Sequence, residues 1–185
     1  MLKDEQISSV NRAVVSLGSN IDKEKNLPKA VELLAEMCEI LLISSVYETE
    51  PVGLVEQPVF WNAAVLIRTD LSAVHFKDRV LSAIEESLGR VRHSDKNAPR
   101  TIDVDLTLFN REIINLDVNH SIPDPDLRRH AHVALPIAEL LPAELHPETG
   151  ESFTQIAEKL TLLLEKDQRQ APKKLINIDI TSEII

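Results

Sequence analysis

Residues 100–110 read RTIDVDLTLFN, and this stretch predicts the strand that decides the fold. Apolar and polar residues alternate along it, which is typical of a β-strand with one buried face. Since successive side chains of a strand point to opposite faces, Asp103 and Asp105 share one face, with their Cβ atoms about 6–7 Å apart. Leu106 and Leu108 point the other way, into the core. The sequence therefore predicts a rigid strand that presents two carboxylates side by side.

The segments around this strand give the order β-α-β-β-α-β, followed by helical material. Strand patterns occupy residues 12–20, 40–50 and 61–70, amphipathic helix patterns occupy 23–39 and 73–89, and loops rich in breaker or polar residues occupy 51–60 and 90–99. Further strand pairing is expected at 112–115, beside the 100–110 strand, and further helices at 133–145 and 153–166. This order predicts an α+β, ferredoxin-like βαββαβ sandwich with an antiparallel sheet, helices on one sheet face and extra C-terminal helices.

The chain has 185 residues, which is near the common size of one domain. Because the sequence contains no internal repeat and no linker-like segment, we expect a single domain over residues 1–185. Residues 167–185 are a possible tail extension of that domain. Within the tail, residues 173–185 are expected either to add a strand or to stay loose.

The composition indicates the cellular setting. A net charge of -10 argues against bulk electrostatic binding to nucleic acid or to an anionic membrane. Cys38 is the single cysteine, so no internal disulfide can form. No apolar run reaches membrane-spanning length, and the first residues do not resemble a signal peptide. We therefore expect a soluble, cytoplasmic protein without nucleic-acid or membrane partners, acting as a monomer or a weak homodimer.

The paired carboxylates lie next to a cationic segment that contains Arg90, Arg92 and Arg100. Mg²⁺ is typically held by one or two carboxylates together with substrate phosphates, and the forked guanidinium group suits phosphate oxygens. This combination favours phosphoryl transfer, although a D-x-D on an exposed strand beside a solvated loop would look the same. Neither G-x-x-x-x-G-K-[ST] nor G-x-G-x-x-G occurs, which excludes P-loop and Rossmann nucleotide sites.

Seven short motifs follow one another along residues 12–148 in a family-specific order. They are LGSN (17–20), SSVYETEPVG (44–53), QPVFWNAAV (57–65), IEESLGRVR (84–92), PRTIDVDLTLF (99–109), IPDP (122–125) and LPIAEL (135–140). In this series the chain resembles the 6-hydroxymethyl-7,8-dihydropterin pyrophosphokinase family. Members of that family transfer the β,γ-diphosphate of ATP to the hydroxymethyl group of a reduced pterin in folate synthesis, and they release AMP.

The resemblance implies a role for each matching residue. Two Mg²⁺ ions would be held by Asp103 and Asp105. The phosphate-handling and catalytic groups would be Arg90, Arg92, Arg100, Asp103 and Asp105. ATP, as the co-substrate, would be bound by Glu85, Arg92, Arg100, Leu106 and His130. The pterin would be bound by Thr49, Val52, Phe60, Asn62 and Asp103.

The chain also departs from the family pattern at several positions on the nucleotide side. Asp124 stands between two prolines where the family usually has histidine, His130 stands at an arginine position, His132 at an aromatic position and Asn97 at a tryptophan position. These departures leave two alternatives to an active enzyme. One is a degenerate relative that binds nucleotide or pterin without turnover. The other is a ferredoxin-like interaction module whose D-x-D motif binds only a cation.

Overall fold

The central sheet is built from the strands that the sequence patterns predict. A computed structural model describes residues 10–51, 56–91, 95, 98–118, 120–176 and 178–181. The first part of the chain forms β1 (Asn11–Ser19), α1 (Lys23–Met37), β2 (Glu39–Ile43), β3 (Tyr47–Thr49) and β4 (Phe60–Thr69). The single strand expected over 40–50 is thus two strands, and both pair with β4.

The second helical segment begins at the serine that caps it. The Ser72 side chain accepts a hydrogen bond from the backbone N–H of His75, 3.4 Å away. The segment runs through α2 (Ala73–His75), a π-helical turn (Phe76–Leu81) and α3 (Ser82–Ser87). Gly89 follows with φ at 68°, a conformation that glycine adopts without strain and that commonly ends helices. The predicted helix is therefore confirmed, with a π turn that its periodicity did not indicate.

The sheet has the strand order of a ferredoxin-like fold. The strand β5 (Asp103–Phe109) pairs with β1, β1 pairs with β4, and β4 pairs with β3 along one half and with β2 along the other. Every one of these pairings is antiparallel. The predicted fold class is confirmed.

Helices cover both faces of this sheet, so the prediction that they lie on one face is wrong. The first face packs against α1, α2, the π turn and α3, with residues such as Leu34, Phe76 and Ile84 in its core. The opposite face carries α4 (Ala131–Leu140) and α5 (Phe153–Lys166), which pack on Val14 and Leu66. Near Val14 and Leu66, β1 and β4 carry apolar side chains on both faces of the sheet. Both faces must therefore be covered by helices.

A β-bulge in β5 changes which face Leu108 occupies. Val15 pairs with Leu106, but its neighbour Val14 pairs with Leu108, so Thr107 is an extra residue in β5. Leu106 lies in the core beside α1, whereas Leu108 lies in the core beside α4 and α5. The prediction that both leucines share a face is therefore wrong, because strict alternation stops at the bulge.

The remaining strands are short. The strand β6 (Ile114–Asn115) pairs with β7 (Ser121–Ile122) in a separate two-stranded sheet, so the predicted pairing of residues 112–115 beside β5 is wrong. A 3-10 turn (Pro125–Arg128) leads into α4. In the tail, β8 (Lys173–Lys174) adds a strand next to β3, which is one of the two expected outcomes. None of the helices in the described ranges combines the length and apolarity needed to cross a bilayer.

Candidate active site

A cleft of about 640 Å³ opens on the part of the second sheet face that α4 and α5 leave uncovered. Its floor is the more polar continuation of this sheet face in β1, β4 and β5, beyond the apolar residues that α4 and α5 cover. Its far wall is the segment from Asp124 to Val133. The predicted site residues that line it are Thr49, Phe60, Asn62, Arg90, Arg100, Asp103, Asp105 and His130. Val52, Arg92 and Asn97 lie outside the described residues.

The two carboxylates of β5 face the cleft, as the alternation predicts. Val104 between them is buried in the core on the other side. In the register with β1, Asp103 lies opposite Gly18 and Asp105 lies opposite Ser16. Because these partners carry little or no side chain, space remains above the carboxylates for a ligand.

Asp103 binds two arginines at once. Its Oδ1 accepts a hydrogen bond from Arg90 Nη2 at 3.4 Å, and its Oδ2 accepts one from Arg100 Nη1. The two arginine side chains are only 11% and 16% exposed, so these charges are held in a partly desolvated place. The guanidinium carbon of Arg100 also lies 5.7 Å from the centre of the Phe60 ring. Both guanidinium groups thus sit where an anionic ligand would meet them.

Asp105 has an unfavourable negative environment. It lies recessed at the cleft floor but open to solvent, and this partial loss of water raises its pKa to about 8. Repulsion from Asp103, Asp124 and Glu85 acts in the same direction, while Arg100 opposes it. Such a surplus of negative charge favours a cation. Among the described residues no group of three or more His, Cys, Asp or Glu side chains could hold a metal by itself, so a cation here would need ligand oxygens from elsewhere.

Glu85 lies behind the cleft rather than on its surface. It is 8% exposed, and its Oε1 accepts a hydrogen bond from the backbone N–H of Val104 at 3.4 Å. The same Oε1 lies 3.9 Å from Arg90 Nε. Glu85 is therefore placed to orient Arg90 and β5. The Leu106 side chain also points away from the cleft, into the core beside α1.

At the other end of the cleft, Asn62 is fixed by β3. Its Nδ2 donates hydrogen bonds to the carbonyl oxygen of Tyr47 at 3.2 Å and to Thr49 Oγ1 at 2.9 Å. Its Oδ1 lies toward Gly18, on the cleft floor. The amide is therefore held in one orientation beside the aromatic ring of Phe60, a combination suited to the polar edge and flat face of a heteroaromatic ring.

The far wall contains the residues that depart from the family pattern. Asp124 Oδ1 caps the 3-10 turn by accepting a hydrogen bond from the backbone N–H of Asp126 at 2.8 Å, so one of its oxygens is already used. The rings of His130 and His132 stack with centroids 5.2 Å apart. Burial and the neighbouring His130 lower the pKa of His132 to about 4, so its ring is neutral at physiological pH.

Sequence reasoning missed residues that shape this site. Thr107 lines the cleft because of the bulge, and its Oγ1 lies 2.7 Å from Ser16 Oγ. Asn20 is buried at 2% exposure beneath the loops around the cleft. The only sequence signal for Asn20 was its place in the LGSN motif, which gave the residue no role.

Comparison with known proteins gives consistent matches. Residues 14–142 match the family described as 7,8-dihydro-6-hydroxymethylpterin-pyrophosphokinase (HPPK). A 2-amino-4-hydroxy-6-hydroxymethyldihydropteridine pyrophosphokinase of Bacillus subtilis is 40% identical over 133 residues, covering 70% of this chain and 78% of the relative. The protein of the same name from Helicobacter pylori is 34% identical over 132 residues, covering 69% and 80%.

Solved structures agree on the fold. A Plasmodium falciparum HPPK-DHPS triple mutant with SDX-DHP superposes with a TM-score of 0.70 at 16% identity, covering 95% of this chain and 48% of that one. The wild-type protein with pteroate superposes with a TM-score of 0.67 at 14% identity, covering 86% and 44%. The chain thus spans about half the length of these structural neighbours.

Proposed function

The chain belongs to the 7,8-dihydro-6-hydroxymethylpterin-pyrophosphokinase family, and we propose that it transfers the diphosphate group of ATP to 6-hydroxymethyl-7,8-dihydropterin in folate synthesis. The observation that carries the proposal is the Asp103–Asp105 pair facing a cleft that also contains Arg90 and Arg100. The carboxylates suit a hard cation, the guanidinium groups suit phosphates, and the same cleft holds a fixed amide beside an aromatic ring.

The proposal divides the cleft into two ends. The phosphate end contains Arg90, Arg100, Asp103 and Asp105. The pterin end contains Thr49, Phe60 and Asn62, with Asp103 between the two ends. Arg92 and Val52 are proposed for the phosphate and pterin ends on the motif match alone. On the nucleotide side we propose His130 at the far wall, Glu85 as the support of Arg90, and the backbone of Leu106, since its side chain lies in the core.

The residues present fit two Mg²⁺ ions held by Asp103 and Asp105. Loss of water and then repulsion from the neighbouring carboxylates raise the pKa of Asp105, and a divalent cation relieves that repulsion. With only these two carboxylates from the protein, the remaining ligands would be phosphate oxygens and water. When bound, the ions would neutralise phosphate charge as it develops during transfer.

The reaction requires one bond to form and one to break. The hydroxymethyl oxygen of the pterin bonds to the β-phosphorus of ATP and loses its proton to solvent, while the bond from the β-phosphorus to the oxygen bridging it to the α-phosphorus breaks. AMP leaves with that oxygen. Arg90 and Arg100 bind the phosphates that are transferred and offset the repulsion between the phosphate charges. Positioning and charge stabilisation of this kind are the main contributions of protein groups to phosphoryl transfer. Asn62 and Phe60 orient the pterin so that its hydroxymethyl group meets the β-phosphate.

Before ATP binds, Asp103 occupies both arginines. We propose that the two arginines turn from Asp103 to the phosphate oxygens when ATP binds. The Asp103 carboxylate that they release would then hold a cation. This exchange keeps Asp103 and the two arginines paired in both states, which avoids the cost of leaving one of these ions unpaired in a partly buried site.

We also propose the cellular setting and the partners. The substrates are the small molecules ATP and reduced pterin. The net charge of -10 supports the absence of nucleic-acid and membrane partners. A cytoplasmic monomer or weak homodimer is the form we expect, and light scattering of the purified chain would test the latter.

The decisive experiment measures AMP release from ATP, Mg²⁺ and 6-hydroxymethyl-7,8-dihydropterin. The full chain should turn over, and Asp103→Asn and Asp105→Asn should each abolish turnover. The matched control is Asp70→Asn, because Asp70 is an exposed aspartate beyond the opposite end of β4.

Three results would contradict the proposal in different ways. Binding of a non-hydrolysable ATP analogue without AMP release would indicate a relative that binds without turnover. Cation binding without any nucleotide binding would indicate the interaction module instead. Full activity in both carboxylate variants would remove the proposed role of the pair.

A further inference from the structure

The segment 173–181, described at residues 173–176 and 178–181, lies outside the part of the chain that matches the family, yet its first residues pair with the sheet. The family match ends at residue 142. Lys173 and Lys174 of β8 pair with Glu48 and Tyr47 of β3 in antiparallel register. The backbone N–H of Leu175 continues this pairing by donating to the carbonyl oxygen of Val46 at 2.8 Å.

Two further contacts fasten the segment. Ile180 is 4% exposed and lies in the core that the sheet shares with α1 and α3. Lys174 Nζ lies 3.2 Å from Glu139 Oε2 on α4. Glu139 in turn accepts hydrogen bonds from the Tyr47 hydroxyl at 2.8 Å and from Ser45 Oγ at 2.8 Å. The segment is therefore joined to β3, to the core and to α4, whose first residues belong to the far wall of the cleft.

The strand β3 depends on its neighbours because it has only three residues. Isolated pairs of short strands are marginal in water, and a strand paired on both edges loses much more of its freedom. On one edge β3 pairs with β4, and on the other it pairs with β8. Thr49, the last residue of β3, and the Tyr47 carbonyl group are the two acceptors that fix the Asn62 amide.

We propose that the segment 173–181 is a positioning element for the pterin end of the cleft. By pairing with β3 it holds Thr49 and Tyr47 in place, and through them it fixes the Asn62 amide that faces the pterin. This inference rests on the proposed function and adds to it a part of the chain beyond the family match. The phosphate end is built from β5 and Arg90, and the described residues of the tail form no strand pair with either of them. The segment therefore acts on pterin binding and not on ATP binding.

The test compares two isoleucines of the same segment. Ile180→Asp places a charge in the core and should release the segment, whereas Ile176→Asp changes a residue that is already 82% exposed. Ile180→Asp should raise the KM for the pterin about tenfold, as expected for a small misplacement of an orienting group. It should leave the KM for ATP within about twofold of the starting value. Hydrogen exchange at residues 47–49 should become faster in Ile180→Asp and stay unchanged in Ile176→Asp.

A shorter chain ending at Arg169 provides the second variant, and it should reproduce the Ile180→Asp effects on the KM for pterin and on exchange. An equal rise in both KM values would mean a general loss of structure and would overturn the proposal. Faster exchange in β3 with an unchanged KM for pterin would overturn it as well. If the unaltered chain releases no AMP, the proposed function fails. The dissociation constant for the pterin then replaces KM in the comparison of the variants. An unaltered chain that binds no pterin would overturn the inference as well.

Discussion

The side-chain oxygen of Asn20 accepts a hydrogen bond from the backbone N–H of Arg100 at 2.8 Å. The Arg100 carbonyl oxygen accepts in return from the backbone N–H groups of Asn20 and Ile21, at 3.1 and 3.2 Å. Asn20 Nδ2 also donates to Gln57 Oε1 at 3.0 Å and to the Pro58 carbonyl oxygen at 3.1 Å. One buried amide thus joins the end of β1 to the segment that leads into β5 and to the loop before Phe60.

Replacing Asn20 should separate these two connections. Asn20→Ala loses the three side-chain hydrogen bonds and keeps the backbone ones. It should lower the free energy of unfolding by about 1–3 kcal/mol, because it leaves the partly buried Arg100 N–H without its acceptor. Asn20→Asp keeps the acceptor but cannot donate to Gln57 or Pro58. We therefore expect Asn20→Asp to raise the KM for pterin with little effect on the KM for ATP. Urea unfolding and steady-state kinetics would measure these effects. Equal stability of Asn20→Ala and the unaltered chain would refute the structural role of the Asn20 hydrogen bonds.

Asp105 should lower the free energy of unfolding at neutral and higher pH, although the proposed function needs it. Its folded pKa of about 8 lies above the usual 3.8, so between pH 4 and 8 the folded chain keeps a proton that the unfolded chain has lost. The free energy of unfolding therefore falls as the pH rises through this window. Asp105→Asn removes the effect and should unfold at a higher temperature than the unaltered chain at pH 8, with near-equal behaviour at pH 4. Thermal unfolding across this range measures the difference.

The control for Asp105→Asn is Asp70→Asn, which should leave the pH dependence unchanged. The same Asp105→Asn protein should lose at least about a hundredfold in activity, the scale seen when one preorganised charge-stabilising group is removed. A variant that is both active and unchanged in its pH profile would contradict the electrostatic account of this site.

His132 should weaken the fold in acid. Its folded pKa of about 4 lies below the usual 6.5, so between pH 6.5 and 4 the unfolded chain binds a proton that the folded chain rejects. Stability is therefore lost as the pH falls through this window. His132→Phe should make the acid side of the stability curve shallower while keeping an aromatic ring next to His130. The exposed His75 supplies the control, and a His75→Phe variant with the same flattening would assign the effect to something other than the His132 environment.

The fold could be predicted largely from hydrophobic periodicity, and its errors have physical causes. Periodicity gives a helix its apolar side but does not say which sheet face that side will cover, so it could not place α4 and α5 on the face opposite to α1. Alternation in DVDLTLF continues unbroken through Thr107, so nothing local marks the bulge that moves Leu108. The break between β2 and β3 falls at Ser44–Val46, where the apolar and polar pattern still favours a strand.

The site could be predicted where its residues lie in one motif. Asp103 and Asp105 share a face because of strand geometry, and the arginines follow from the resemblance. Asn20 and Thr107 could not be predicted, because their contacts join segments that are distant in sequence, such as Asn20 and Arg100, which are 80 residues apart. The negative environment of Asp105 has the same origin, since Asp124 and Glu85 reach it from other elements.

Gly18 separates the two ends of the cleft, because it pairs with Asn62 in β4 and with Asp103 in β5. A Cβ at this position would lie 3.5 Å from Asn62 Oδ1 and 3.9 Å from Asp103 Cβ, which are ordinary contacts. We therefore expect Gly18→Ala to fold with stability equal to or up to about 1 kcal/mol above that of the unaltered chain. The added methyl group would stand where the pterin and the phosphate chain must meet, so kcat/KM should fall about tenfold, and Gly18→Val should lower it further. Thermal unfolding and AMP-release kinetics measure both quantities; a stable Gly18→Val with undiminished kcat/KM would place the meeting point of the substrates elsewhere.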